Sequence, residues 1–318
     1  MQQWTYAPLE ADQVPDQLGH NPIQAEQAYI SIFLRSMRVV NVRTALKKFY
    51  GTVHSYISLP YLSLGSRAQF HVLITPSNLK DVDASHIDRV ISVNRRLLGP
   101  VPYRGGDVEV ELGLFSVESV DLAGPFLSVL EGLSSAAGVS FINVALPFVG
   151  PLLQGVNLLA GTQGNTILEI GLASTFDKPT TGYFLIMRAP KGTVNTANLR
   201  VQSGGFGLVD ATGQPLAQYP YMVISIEAST RREDWFQIPE LGTTYNDLKQ
   251  AIIKGSIQSV KEAQTVFNRT TLTCPDLITD DAQKLVEKVA ADVKRVETTL
   301  TGAGKVSFPD LRDIKLYG

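Results

Sequence analysis

Between Gly132 and Leu168 the chain runs without one Asp, Glu, Lys, Arg or His. So long an uncharged interval belongs either in a protein core or in a lipid bilayer, and the choice restricts every fold the chain can adopt. As a single helix, Val139 to Ala160 would span roughly 33 Å, enough to cross a bilayer. Pro147, Gly150, Pro151 and Gly155 interrupt that segment, and Asn143, Gln154 and Asn157 would need polar partners within lipid. Two short helices suit it better. Phe126, Leu130 and Leu133 share a face after Pro125, and Leu152, Leu153, Val156 and Leu159 line a second helix opened by Pro151. An apolar helical hairpin over 122–161 is therefore expected. It is either buried in the resting protein or packed there until it is released onto lipid.

The hairpin is flanked by β texture. "ELGLFS" (111–116) precedes it and "EIGLAS" (169–174) follows it, both of the form Glu-aliphatic-Gly-Leu-x-Ser. They read as two similar strands of one sheet, each with a glycine where a backbone or bulky side chain comes close. In "DVEVELGLFS", Val108, Val110, Leu112 and Leu114 point inward and Glu109 and Glu111 outward. "AYISIFLR", "YGTVHSYISLP", "RAQFHVLITP", "GYFLIMRAP", "NLRVQ", "FGLVD" and "PYMVISIEAS" are further strands. "DASHIDRVISVNRRLLG" reads as a helix capped by Ser85 and stopped by Gly99.

Past Trp235 the pattern becomes helical. A first segment runs from Thr243 to Phe267 with a weak point at Gly255, and Cys274-Pro275 breaks the chain. In the next helix Leu285, Val289, Val293, Val296 and Leu300 recur at three or four residues. The expected fold is α+β: an antiparallel β-sandwich with an inserted apolar helical hairpin, followed by a C-terminal helical hairpin. Its divisions are an acidic extended tail (1–26), a sandwich-like domain (27–236), a helical region (237–302) and a tail (303–318). In architecture alone this is similar to lipid-binding C2-type modules, but their paired Asp loops for calcium are absent.

Charge is unevenly spread although the net charge is only −2. Glu10, Asp12, Asp16 and Glu26 occupy a first stretch without bases, and residues 27–80 then hold seven bases and no acid. Arg35, Arg38, Arg43, Lys47 and Lys48 are a candidate basic interaction face, unless acids balance them in the fold. The stripe from Leu285 to Leu300 is a candidate partner-helix face, unless it packs on its own domain.

Catalytic patterns are missing. His20, His54, His71 and His86 are scattered, Cys274 is the only cysteine, and there is no GxSxG elbow or GxxxxGK[ST] loop. No cofactor or metal is expected. The N-terminus has neither a basic region nor an apolar run, so a cytoplasmic protein, membrane-associated only after a trigger, is the expectation. The function expected is a non-enzymatic binding or assembly module, a subunit of a larger complex whose partner is another protein or a second copy. One rival is a membrane-acting effector using 122–161 against an anionic bilayer. The other is a nucleic-acid-associated protein using the basic run 35–80, which lacks a recognised reading element.

Overall fold

A computed structural model describes residues 2–40, 43–44, 47–48, 50–62, 66–74, 91–117, 166–300 and 308–317. The hairpin expected over 122–161, with Phe126, Leu130, Leu133, Leu152, Leu153, Val156 and Leu159, lies outside the described residues. The chain forms two compact units. One comprises Met1–Ile23, Ser31–Gly99 and Gly105–Glu227; the other comprises Gln24–Ile30, Pro100–Arg104 and Ala228–Gly318.

The strands are β1 (Gln2–Leu9), β2 (Tyr29–Arg38), β3 (Arg43–Thr44), β4 (Lys47–Lys48), β5 (Tyr50–Leu62), β6 (Ser66–Ile74) and β7 (Ile91–Pro102). There follow β8 (Val108–Val117), β9 (Thr166–Phe176), β10 (Gly182–Pro190), β11 (Arg200–Val201), β12 (Leu208–Val209) and β13 (Tyr221–Ser229). One sheet has the order β1-β10-β13-β2-β7 and another β6-β5-β8-β9, with short ladders β3-β4 and β11-β12. The four-stranded sheet is antiparallel throughout, as are the β1-β10 and β10-β13 pairs. Central strands β10 and β13 are buried on both faces from Tyr183 to Met187 and from Tyr221 to Ser225, hence their unbroken apolar runs. One core of this unit joins Leu9, Leu185, Met187, Leu208, Tyr221 and Val223. The two sheets touch where the Tyr6, Phe176 and Phe184 rings meet at centroid distances of 5.6 to 6.0 Å.

The segment read as an acidic tail begins as a fully paired strand. All eight residues of β1 register with β10, from Gln2↔Pro190 to Leu9↔Tyr183. Beyond it, the buried Gln13 donates from Nε2 to the carbonyls of Thr196 (2.9 Å) and Leu199 (2.7 Å).

The helix expected over 85–99 is corrected where the residues are described: Ile91–Pro102 is strand β7. Val93, Leu97 and Val101 are buried in it at intervals of four. That spacing puts residues on one side of a helix, yet four is also a multiple of two, so a strand satisfies it equally. Asn94 (φ 41°) and Gly99 (φ 90°) interrupt the strand's regularity.

The second unit holds α1 (Pro239–Lys254), α2 (Ile257–Leu272) and α3 (Thr279–Leu300). Gly255, expected as a weak point within one helix, separates two. At φ 74° it takes the left-handed conformation that closes α1, and Ser256 caps α2 by accepting from Ser259 N. The apolar stripe of α3 faces inward: Leu285, Val289, Val293 and Val296 are buried with Leu241, Tyr245, Leu248 and Phe267 in this unit's core. The side chain of Leu300 lies outside those described. Residues expected to trail as a tail are docked from Phe308 onward. Ile314 and Leu316 enter the same core, Phe308 stacks on Tyr245 at 5.5 Å, and Tyr245 donates to the Pro309 carbonyl at 3.0 Å.

Candidate functional site: a buried polar face on the four-stranded sheet

The β5 sequence "YGTVHSYISLP" alternates, sending Val53, Ile57 and Leu59 to one face and Thr52, His54, Tyr56 and Ser58 to the other. Strand β8 matches it. Val108, Val110, Leu112 and Leu114 lie on the apolar side, and Glu109, Glu111, Gly113 and Phe115 on the polar side. Register joins them across the sheet. Tyr56 faces Glu111, which faces Ala173; Ser58 faces Glu109, which faces Thr175. Facing residues in an antiparallel ladder share a side, so these six form one continuous patch.

Glu109 and Glu111 were expected to point outward; along β5 and at Glu111 this side is instead buried, while Glu109 is half-buried and Ala173 and Thr175 on β9 are exposed. His54, Tyr56 and Ser58 are at most 2% exposed and Glu111 is 8% exposed. A cavity of about 290 Å³ opens here, lined by Tyr56, Glu109, Glu111, Ala173, Ser174 and Thr175 among others.

Electrostatics distinguish the two glutamates. Arg67 donates from Nε to Ser58 Oγ (2.8 Å), pairs with Asp107 (3.0 Å) and lies 3.5 Å from Glu109. Glu111 Oε2 is enclosed with no hydrogen-bond partner, and burial pushes the carboxyl up to about 7. Burial also raises the Tyr56 hydroxyl, against the lowering effect of its hydrogen bond with Ser58. On the same side, Thr52 Oγ1 and Gln69 Oε1 are likewise buried without partners. Buried polar atoms in folded proteins are nearly always paired, so a face carrying several unpaired ones needs an explanation.

The twin segments around the uncharged stretch are neighbours. "ELGLFS" and "EIGLAS" pair antiparallel in β8 and β9, with Gly113 opposite Gly171. A Cβ on Gly113 would lie 2.7 Å from the Phe115 ring, so the glycine is there because that ring lies over it. Glu169, at the register shift between the strands, is fully buried but satisfied. Ser116 Oγ donates to it at 2.6 Å and Arg188 at 2.8 Å, which ties β8, β9 and β10 together.

The candidate basic face is divided. Arg35 donates to Ser225 Oγ at 2.8 Å, pairs with Glu227 and Asn94, and lies over the Phe33 ring at 4.6 Å. Arg38 donates to the Ala217 carbonyl at 3.0 Å. Arg43 and Lys47 belong to the β3-β4 ladder, where Arg43 registers with Lys48 and Thr44 with Lys47; their side chains lie outside those described.

Cys274 is buried, and burial raises its thiol, which disfavours the nucleophilic thiolate. Among the described residues no group of three or more His, Cys, Asp or Glu could hold a metal ion, and no helix is long and apolar enough to cross a membrane. Sequence reading placed Glu111 on the correct strand and side but missed its burial. The available signal was β5, whose polar side (Thr52, His54, Tyr56, Ser58) carries no Lys, Arg, Asp or Glu. In comparisons with known proteins, the chain matches no family model, no curated protein and no solved structure.

Proposed function

We propose that this protein is a non-enzymatic binding module, a component of a larger assembly, and that it binds through the polar face of the four-stranded sheet. One observation supports the reading: Glu111, buried on a cavity wall, has an oxygen with no partner. An unpaired buried polar atom costs about 1–3 kcal/mol. A cavity beside it leaves room for a ligand group that removes the cost. A sandwich, as expected from the sequence, would fit this reading by covering the apolar side of β5 and β8 and leaving the polar side for a ligand.

The test is calorimetric titration of the full chain with three probes: propylammonium, neutral 1-propanol and inorganic phosphate. Saturable binding of at least one probe, lost in Glu111→Gln, is the expected result. Binding of none, or binding indifferent to the substitution, overturns the proposal.

A second reading, the membrane-acting effector, has its own supporting observation. Val117 and Thr166 are register partners, so the chain carrying the uncharged stretch leaves and re-enters the sheet at one point. Dye release from vesicles containing anionic lipid, before and after limited proteolysis, tests it. Release that depends on Leu130 and Val156 supports it, and intact vesicles under both conditions dismiss it.

A further inference from the structure

We infer that the Glu111 cavity takes an alkylammonium group, with Glu111 as its counter-ion. The inference rests on the reading of this face as the binding surface and names its ligand. Charge makes the first argument. Asp107 and Glu109 share the guanidinium of Arg67, and Glu111, two residues along the same side of β8, has no paired cation among the described residues. Three carboxylates thus have one guanidinium among them, and a buried carboxylate without a counter-charge is among the costliest groups a fold can retain.

Shape and donor count narrow the class. About 290 Å³ lies at the lower edge of ligand-pocket volumes, so the ligand is small or is one side chain of a larger one. An ammonium brings three N–H donors and no acceptor. Tyr56 and Thr175 line the cavity on the same side as the two carboxylates, and their hydroxyls add acceptors.

Proton linkage gives the inference a signature that simple attraction to a surface lacks. Among the described residues, the titratable groups on this side are Tyr56, which faces Glu111, and His54 on β5, Glu109 on β8 itself, and Arg67 on β6, which pairs with Asp107 and Glu109. His71 on β6 registers with Tyr56, and the β9 positions opposite, Ala173 and Thr175, add none. A cation seated at Glu111 favours its ionised form and expels the proton that burial had retained.

The experiment titrates the full chain with propylammonium, 1-propanol, inorganic phosphate and the tripeptide Gly-Lys-Gly. It is run at pH 6 and pH 8, in two buffers of different ionisation enthalpy. Propylammonium or the peptide should bind saturably and release protons at pH 6, with the release largely gone at pH 8. Glu111→Gln should weaken binding at least about tenfold and abolish proton release, while Glu111→Asp should keep the release. Tighter binding of propylammonium marks a free amine as the source, and tighter binding of the peptide marks a lysine side chain. If only 1-propanol or phosphate binds in a Glu111-dependent way, the binding-face reading stands and the ammonium is wrong. If no probe binds, both fail. Ammonium binding unaffected at Glu111→Gln, or without proton release at pH 6, overturns the inference alone.

Discussion

At the scale of single residues, Glu111 couples stability to pH. Its carboxyl would ionise near 4.5 in a solvated setting and does so at about 7 in the fold. Between those values the folded state holds a proton that the unfolded chain has released. The stabilisation from this group is therefore complete below pH 4.5 and is lost as the pH rises through 7. Glu111→Gln cannot ionise, so at pH 8 it should be more stable than the parent by about 1–3 kcal/mol and nearly equal to it at pH 4. Urea melts across that range check the crossover. Gly113 makes a packing prediction. Gly113→Ala sets a methyl 2.7 Å from the Phe115 ring, which is itself buried, and should cost about 1–3 kcal/mol. Adding Phe115→Leu should recover part of that loss, and the double-mutant cycle should show favourable coupling.

At the scale of elements, the legible parts were those with a single period and the short apolar runs of β10 and β13. Strands β5, β8 and β9 and the stripe of α3 announce themselves through clean two-fold or three-to-four-fold spacing. Strand β7 does not, because Val93, Leu97 and Val101 suit both periods and only their sheet neighbours decide between them. The candidate site was half legible for a related reason. Alternation assigns a residue to a side of its strand but says nothing about what covers that side, so Glu111 was placed and its burial was not. Docking of the last segment was hidden too, since Phe308, Ile314 and Leu316 follow no repeat and take their meaning from the helices beneath them. The start of α3 allows a direct test. Asp281 is fully buried and accepts from the hydroxyls of Tyr29 (2.7 Å) and Tyr317 (2.5 Å). The Tyr29 oxygen also accepts from Ile278 N at 3.2 Å. Tyr29→Phe removes a donor and orphans that amide, so chemical denaturation should show a loss of about 2 kcal/mol.

At the scale of the whole molecule, the units are not consecutive lengths of chain. The helical unit draws on Gln24–Ile30 and Pro100–Arg104 as well as on Ala228–Gly318. Arg104 donates to the Leu277 carbonyl at 2.8 Å and pairs with Glu26, and Tyr29 reaches Asp281. A boundary drawn at residue 237, as texture alone suggests, cuts off all three. A fragment of residues 228–318 should accordingly melt at a lower temperature than the helical signal of the full chain, as followed by circular dichroism at 222 nm. An equal melting temperature would show that the distant pieces contribute nothing. Discontinuity also sets an order on biosynthesis. Tyr29 and Arg104 leave the ribosome long before Asp281 and Leu277 exist, so a nascent chain must carry them without these partners through most of translation. The helical unit is the last to close, and until then its waiting side chains are available to chaperones.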